Sequence, residues 1–364
     1  MAALKGCTTT DKKIHMTYEY ERPATVSHGL RLHMNENTAG CSPAVVDVLR
    51  RISCEEAAFY PDYSEAIEAV ARHLRVDRDQ LALTNGLDEG IFATSVAALR
   101  GSSELDPFEA IVVPPAFEMY AACADAAGGR VVLIPQDQDF AFPLQRVQQG
   151  INARTRIVYL TNPNNPTGIV IPRESIIAIA KGAPHAIVFI DEAYADFSGT
   201  SLIGDPALAD LTNIVIGRTF SKSYGLAGLR VAVLAASVAR ITALRRVLPP
   251  YSVNAVAAAA LPVALSDTSY HDAYLAQSLA SKDLLYAALD RVGVRYWRSA
   301  ANFVLARFGE DSRRIVDGLK ARGVHVRDRS TEHGCAGCVR ITTGVLAHTQ
   351  KCVTAIEEIL CGAR

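Results

Sequence analysis

The middle of the chain reads Asn213-Ile-Val-Ile-Gly-Arg-Thr-Phe-Ser-Lys-Ser-Tyr-Gly225, an apolar run followed at once by a polar turn that contains glycine. The apolar run has no polar alternation, which is typical of a strand that is covered on both faces. The turn carries Lys222, and Arg230 follows eight positions later. This stretch predicts a buried strand that brings a lysine to the edge of a sheet.

Other apolar runs between about residues 80 and 235 alternate with segments of helical periodicity, which predicts βαβ units and a mostly parallel, doubly wound sheet. The predicted strands are residues 110–113, 130–134, 157–160, 186–190, 213–217 and 230–234. Polar clusters follow most of them, at 114–118, 161–168, 191–194 and in the Lys222 turn, and a further cluster at 84–89 precedes a helix. Because ligands of such sheets bind beyond the carboxyl ends of the strands, we expect these clusters to form one pocket.

The length of 364 residues exceeds what one hydrophobic core usually supports. We therefore expect a large domain over residues 46–264 and a smaller one built from residues 1–45 and 265–364. A net charge of −1 gives no indication of a nucleic-acid partner. The polar first 25 residues hold no apolar run long enough for a signal peptide or a membrane span, so we expect a cytoplasmic protein with no membrane partner.

The cysteines do not predict a disulfide scaffold or a metal site. There are eight of them, too dilute for a disulfide framework in a chain of this length. Cys335 and Cys338 form a CxxC pair, but a metal site would need a second such pair or a histidine partner. We interpret this pair as part of a glycine-rich hairpin tip and predict no metal.

Lys222 is the first candidate for chemistry. The chain has eight lysines against 29 arginines, so a lysine flanked by serines and glycine in an apolar region is unlike ordinary surface charge. Burial favours the neutral amine, which can capture an aldehyde, and Arg230 offers a planar fork to a phosphate. An amine and a phosphate site side by side are what pyridoxal 5'-phosphate requires.

Three further side chains suit the ring of that cofactor. Asp191, directly after an apolar strand, could keep the ring nitrogen protonated, although an Asp here is also a common turn residue. Asn165 lies between prolines in a loop and could donate to the ring oxygen, although Asn-Pro pairs are ordinary turn formers. Tyr194 could donate to the same oxygen, although buried tyrosines usually serve packing.

A phosphate site is predicted where Gly86, Leu87 and Asp88 begin a helix, because helix N-terminal amides bind anions. Arg230, Thr219 and Ser221 would complete it, whereas the alternative for the glycine stretch is a simple helix cap. Phe117, after a Pro-Pro turn, offers a flat apolar face to the ring but could equally belong to the core.

Taken together these motifs resemble the fold-type I pyridoxal phosphate enzymes of the class I and II aminotransferase group. The resemblance rests on Asn165 in Asn-Pro-x-Asn-Pro-Thr-Gly, on Asp191 and Tyr194 in Asp-Glu-Ala-Tyr, on Ser221-Lys222 and on Arg230, in the order of that family. Stretches near Asn35, Tyr60, Tyr251, Arg327 and Arg340 are most similar to the histidinol-phosphate aminotransferases. The likeness covers nearly the whole chain.

The resemblance implies an α/β fold, with a mostly parallel seven-stranded sheet between helices and a small α+β domain from both termini. It implies that Lys222 is the internal aldimine lysine and that Asp191 contacts the ring nitrogen. It implies a homodimer with shared active sites, in which Tyr60 reaches the cofactor phosphate of the other subunit. Arg340 would bind the substrate α-carboxylate, and the remaining substrate contacts would come from Arg327, Tyr251 and Asn35.

The implied reaction is transfer of the amino group of histidinol phosphate, or of a similar amino compound, to 2-oxoglutarate by a ping-pong mechanism. Alternatives within the fold stay open: a phospho-amino-acid decarboxylase, an aromatic amino-acid aminotransferase or a specialised enzyme of secondary metabolism. A remote alternative is a cofactor-binding sensor domain, whose usual companion, a basic DNA-binding module, finds no room in this sequence.

Overall fold

The computed structural model describes residues 28–362 together with Tyr18 and Val26. The strands are β1 Leu30–Arg31, β2 Leu81–Thr84, β3 Glu109–Val112, β4 Arg130–Leu133, β5 Thr155–Thr161, β6 Ile187–Asp191, β7 Ile214–Thr219, β8 Ala232–Ala236, β9 Arg295–Tyr296, β10 Phe303–Arg307, β11 Val324–His325, β12 Arg327–Asp328 and β13 Cys338–Thr342. The helices are α1 Pro43–Arg51, α2 Cys54–Ala58, α3 Ser64–Leu74, α4 Leu87–Leu99, α5 Met119–Ala126, α6 Leu144–Gly150, α7 Arg173–Gly182, α8 Ala195–Ser198, α9 Val238–Leu244, α10 Ala255–Ser266, α11 Thr268–Arg291, α12 Ser312–Ala321 and α13 Leu346–Cys361.

The central sheet has seven strands in the order β2-β8-β7-β6-β5-β3-β4. Strands β3 to β7 run parallel, whereas β8 is antiparallel to both of its neighbours. The predicted mostly parallel, seven-stranded α/β fold is confirmed. The predicted strand 230–234 in fact begins at Ala232, because Arg230 takes a left-handed backbone with φ 57° and ends a short helical turn.

Both faces of the sheet are covered, which explains the missing polar alternation. Along β5, Val158 and Leu160 pack into one apolar cluster, whereas Tyr159 packs into another on the opposite face. All three side chains are nearly inaccessible to solvent. Burying an aliphatic or aromatic side chain of this size contributes about 1.5–3 kcal/mol, so a polar residue at either register would be costly.

The C-terminal part forms a second sheet of four strands in the order β12-β13-β10-β9. Helices α11, α12 and α13 pack with it around a separate core that includes Val304, Ile341 and Ile356. Strand β1 near the N-terminus pairs in parallel with β11, so both ends of the described chain contribute here. The domain limits at residues 45/46 and 264/265 stay a prediction, and most of residues 1–27 lie outside the described residues.

The topology brings the polar clusters together. The carboxyl ends of β3, β5, β6 and β7 lie at one edge of the large sheet, and β13 of the second sheet faces the same region through Arg340. In the part of the chain described, we find no helix with the length and apolar character to cross a membrane.

Candidate active site

A cavity of about 530 Å³ lies at this edge of the large sheet. Its size falls within the range usual for small-molecule sites. The predicted residues that line it are Asn35, Leu87, Asp88, Phe117, Asn165, Asp191, Tyr194, Thr219, Ser221, Lys222, Arg230, Arg327 and Arg340. Residues that are more than 300 positions apart in sequence thus meet in one place.

Lys222 enters the cavity from the loop after β7. Its Nζ donates a hydrogen bond to the backbone oxygen of Met34 at 3.0 Å. The surrounding protein lowers the pKa of Lys222 to about 8, mainly by desolvation and next by the positive charge of Arg340. The loop is tightly held, since Gly225 has φ 71° and a Cβ there would lie 2.3 Å from the oxygen of Gly40.

Asp191 ends β6 and is 5% exposed. Its Oδ1 accepts from the amide of Ala193 at 2.8 Å, and its Oδ2 accepts from the hydroxyl of Tyr120 at 2.6 Å. Burial raises the pKa of Asp191 to about 6, while these two hydrogen bonds act in the opposite direction. Tyr120 is a site residue that the sequence did not indicate, because a tyrosine inside a helix next to the core gives no distinguishing signal.

Two side chains beside Lys222 are already connected to other parts of the chain. Asn165 Oδ1 accepts a hydrogen bond from Arg340 Nη1, which leaves its amide nitrogen available to a ligand. The hydroxyl oxygen of Tyr194 accepts from Asn35 Nδ2 at 2.9 Å, so its own proton points elsewhere. Asn35 Oδ1 in turn accepts from Thr342 at 3.1 Å, which fixes the Asn35 amide.

The predicted phosphate cup lies at the start of α4. Gly86 caps this helix with φ 75° and ψ 165°, a region essentially restricted to glycine. A Cβ on Gly86 would lie 2.2 Å from Arg230 Nη2. Arg230 pairs with Asp88 at 3.0 Å, while Thr219 Oγ1 donates to Ser221 Oγ at 3.0 Å across the same hollow.

Arginines gather at the other end of the cavity. Arg340 is 5% exposed, and burial followed by the charge of Arg329 lowers its pKa to about 10. Arg327 and Arg329 line the same cavity as Arg340. Arg329 and Glu118, which ion-pair at 3.3 Å, were not assigned from the sequence, because neither their burial nor their pairing leaves a local sequence signal.

Three predicted residues do not line this cavity: Gly86, which lies beside it at the start of α4, and two tyrosines. Tyr60 is 79% exposed and Tyr251 is 53% exposed. Their rings stack on each other with centroids 4.4 Å apart. They form an aromatic pair on the surface of the chain and are not part of the cavity wall.

The sequence profile described as aminotransferase class I and II matches residues 27–359. This chain belongs to that family. The histidinol-phosphate aminotransferase of Moorella thermoacetica is 33% identical over 349 residues, which cover 94% of this chain and 88% of that protein. The histidinol-phosphate aminotransferase of a Geobacillus strain is 31% identical, with 94% of this chain and 93% of that protein covered.

Solved structures of the family share the fold. The crystal structure of histidinol-phosphate aminotransferase from Sinorhizobium meliloti in complex with pyridoxal-5'-phosphate superposes with a TM-score of 0.82 at 25% identity. The superposition covers 93% of this chain and 92% of that one. Amino compounds and oxo acids are the substrates that membership in the aminotransferase family implies.

Proposed function

We propose that this aminotransferase uses pyridoxal 5'-phosphate to transfer the amino group of histidinol phosphate to 2-oxoglutarate. The observation that carries the proposal is the cavity itself, which joins a lysine of lowered pKa, a buried carboxylate and a group of arginines. Relatives named for histidinol phosphate, similar over more than nine-tenths of this chain, support the choice of donor.

The residues at the start of α4 fit the phosphate of this cofactor. A side chain at Gly86 would collide with the guanidinium of Arg230, so glycine there lets Arg230 reach the start of α4. The first amides of a helix have no partner within it and attract anions. We assign phosphate binding to the backbone of Gly86, Leu87 and Asp88 and to the side chains of Thr219, Ser221 and Arg230.

The opposite wall fits the ring. The Asp191 carboxylate would hold the proton on the ring nitrogen, and its contact with Tyr120 keeps it aimed in one direction. Asn165, through its amide nitrogen, and Tyr194, through its hydroxyl, would donate to the ring oxygen. Phe117 would lie against the ring face.

When bound, pyridoxal phosphate supplies an aldehyde that captures amines and a ring that withdraws electrons from the substrate Cα. Lys222 supplies the base. A pKa of about 8 leaves a useful share of its amine neutral near neutral pH, so that Nζ can accept the proton of the donor Cα and later return one. Met34 O orients Nζ through their hydrogen bond.

The arginines suit the two substrates. We assign the α-carboxylate of the oxo acid to Arg340, since a guanidinium binds a carboxylate through two parallel hydrogen bonds. Arg327 would bind the phosphate of the donor. Asn35 also lines the cavity, but its amide nitrogen donates to Tyr194 and its amide oxygen accepts from Thr342. It would therefore border the substrate and orient Tyr194.

The exposed pair of Tyr60 and Tyr251 suggests a homodimer. In our proposal Tyr60 contacts the cofactor phosphate in the other subunit, with Tyr251 beside it at the substrate end of that site. Sedimentation at micromolar concentration should then give twice the mass of one chain, and a monomer with full activity would contradict this arrangement. The cytoplasmic location and the two-domain division remain predictions from the sequence.

Rapid mixing tests the reaction. The protein loaded with cofactor is mixed with histidinol phosphate, histidinol, phenylalanine or tyrosine, and the cofactor absorbance is followed. We expect fast conversion with histidinol phosphate and regeneration by 2-oxoglutarate. If an aromatic amino acid reacts and histidinol phosphate does not, the proposed donor is wrong, and release of CO2 from a phosphorylated amino acid would point to a decarboxylase.

A further inference from the structure

The arginine end of the cavity contains more donor capacity than one carboxylate needs. Arg340 donates through Nη1 to Asn165 and through Nη2 to the backbone oxygen of His33. Its Nε is buried and has no hydrogen-bond partner within the described part of the chain. Arg329, 4% exposed, likewise has a buried Nη2 without a partner among those residues.

Arg329 is held from two sides. Its Nη1 pairs with Glu118, which belongs to the loop between β3 and α5, and its Nε lies against Glu332, three residues along its own loop. Its backbone amide donates to Cys338 O at 3.0 Å, which anchors it to β13 two residues from Arg340. The guanidinium is therefore fixed, and one edge of it is left for a ligand.

The phosphate of the proposed amino donor requires a guanidinium in addition to that of Arg340. In histidinol phosphate the phosphorus lies two bonds farther from Cα than the carbon of an α-carboxylate does. A phosphate presents three acceptor oxygens and up to two negative charges, and arginine forks are its usual partners. A site that must take a carboxylate in one half-reaction and a phosphate in the other therefore needs donors beside Arg340 as well as on it.

We propose that Arg329 is a specificity-determining residue that, with Arg327 and Arg340, binds the phosphate dianion of the amino donor. This inference rests on the proposed function. Glu332 acts against the anion, because its carboxylate competes for Arg329. Burial raises the pKa of Glu332 to about 7, with the charge of Arg329 acting in the opposite direction.

The test compares donors that differ only in the phosphate. In Arg329→Leu we expect KM for histidinol phosphate to rise roughly 10- to 100-fold, the loss typical of one hydrogen bond between charged groups. KM for histidinol, which lacks the phosphate, should change less than threefold, and so should kcat with either donor. Arg322→Leu, which removes an exposed arginine that directly follows α12 and pairs with Glu358 of α13, is the matched control and should change none of these values.

Two gentler variants cover the case in which Arg329→Leu does not fold. Arg329→Lys keeps the charge but loses the fork, and we expect a rise in KM for histidinol phosphate of about threefold to tenfold. Glu332→Gln at pH 8 should lower that KM, because the competing carboxylate is gone. Equal changes with histidinol and histidinol phosphate would show that Arg329 only supports the fold, and would overturn the inference.

Competition by inorganic phosphate separates this inference from the proposed function. The cofactor-loaded enzyme is inhibited with phosphate while it turns over whichever amine proves to be a donor. A higher inhibition constant in Arg329→Leu and Arg329→Lys than in the parent supports the anion site even if histidinol phosphate is not the donor. An unchanged inhibition constant overturns it even if histidinol phosphate is.

Discussion

Tyr120 should set the pH at which Asp191 becomes a carboxylate. Tyr120→Phe removes the 2.6 Å hydrogen bond to Asp191 Oδ2 and leaves the ring, which stacks on Tyr159 at 5.1 Å, in place. A hydrogen bond to a charged group contributes about 1.5–3 kcal/mol, which corresponds to roughly 1–2 pKa units. Starting from a pKa of about 6, the Asp191 of the variant should titrate near pH 7–8.

A higher pKa of Asp191 should weaken cofactor binding on the acid side of the pH range. The carboxylate, and not the neutral acid, pairs with a protonated ring nitrogen, so cofactor affinity should fall as the pH drops through the pKa of Asp191. In Tyr120→Phe this loss should begin 1–2 pH units higher than in the parent.

The assay is fluorescence titration of the cofactor-free protein with pyridoxal phosphate between pH 5 and 9. Tyr159→Phe is the matched control, because Tyr159 is equally buried and its hydroxyl bonds to Ser95 at 2.6 Å instead. Titration of Lys222 and of the cofactor phosphate is common to all three proteins and cancels in the comparison. Identical pH profiles for Tyr120→Phe and the parent would refute the reasoning.

Three further changes probe two residues of the site and one buried ion pair. Lys222→Ala should lower kcat by roughly 10²- to 10⁴-fold in steady-state assays, the usual share of general acid and base catalysis, and a variant within tenfold of the parent would exclude Lys222 as the base. Gly86→Ala should destabilise the cofactor-free protein by roughly 1–3 kcal/mol in thermal unfolding and weaken cofactor binding, because its backbone lies in a region that only glycine adopts easily. Gly182→Ala at the end of α7, where a Cβ meets nothing within 4 Å among the described residues, should do neither. Asp196→Asn should lower the free energy of unfolding in urea by roughly 3–5 kcal/mol, because it leaves the buried Arg218 without its closest carboxylate. Burial acts to raise the pKa of Asp196, but Arg218 holds it well below its usual range, so this difference should be complete above about pH 4 and shrink as the pH falls further.

The sequence predicts the parallel strands and the loops after them because both depend on local chemistry. A run such as residues 157–160 is apolar on both faces of the strand, and the side chains that follow it are polar. The sequence therefore indicates both that the strand is buried and where it ends. The same logic brings Asn165, Asp191 and Lys222 to one edge of the sheet. The resemblance to aminotransferases then adds the roles that local chemistry leaves open.

What the sequence does not reveal is pairing between distant segments. Glu118 meets Arg329 across more than 200 residues, and Tyr120 meets Asp191 only because α5 packs along β3 and β4. Each of these residues is an ordinary charged or aromatic side chain in its local context. Nor does local sequence chemistry indicate whether a residue contributes to the active site of its own subunit or of a partner, as the exposed Tyr60 illustrates.

The sequence identifies Arg340 as a substrate-binding candidate, but only the folded structure shows which of its N–H donors are available. By type it offers five N–H groups in a planar fork. In the folded chain Nη1 donates to Asn165 and Nη2 to His33 O, while the buried Nε–H has no partner among the described residues. The N–H groups of Arg340 that remain can bind a carboxylate, but a phosphate with three oxygens needs a second guanidinium close by. Arg329 lines the same cavity, and its buried Nη2 has no hydrogen-bond partner among residues 28–362, so its importance follows from how Arg340 is already used.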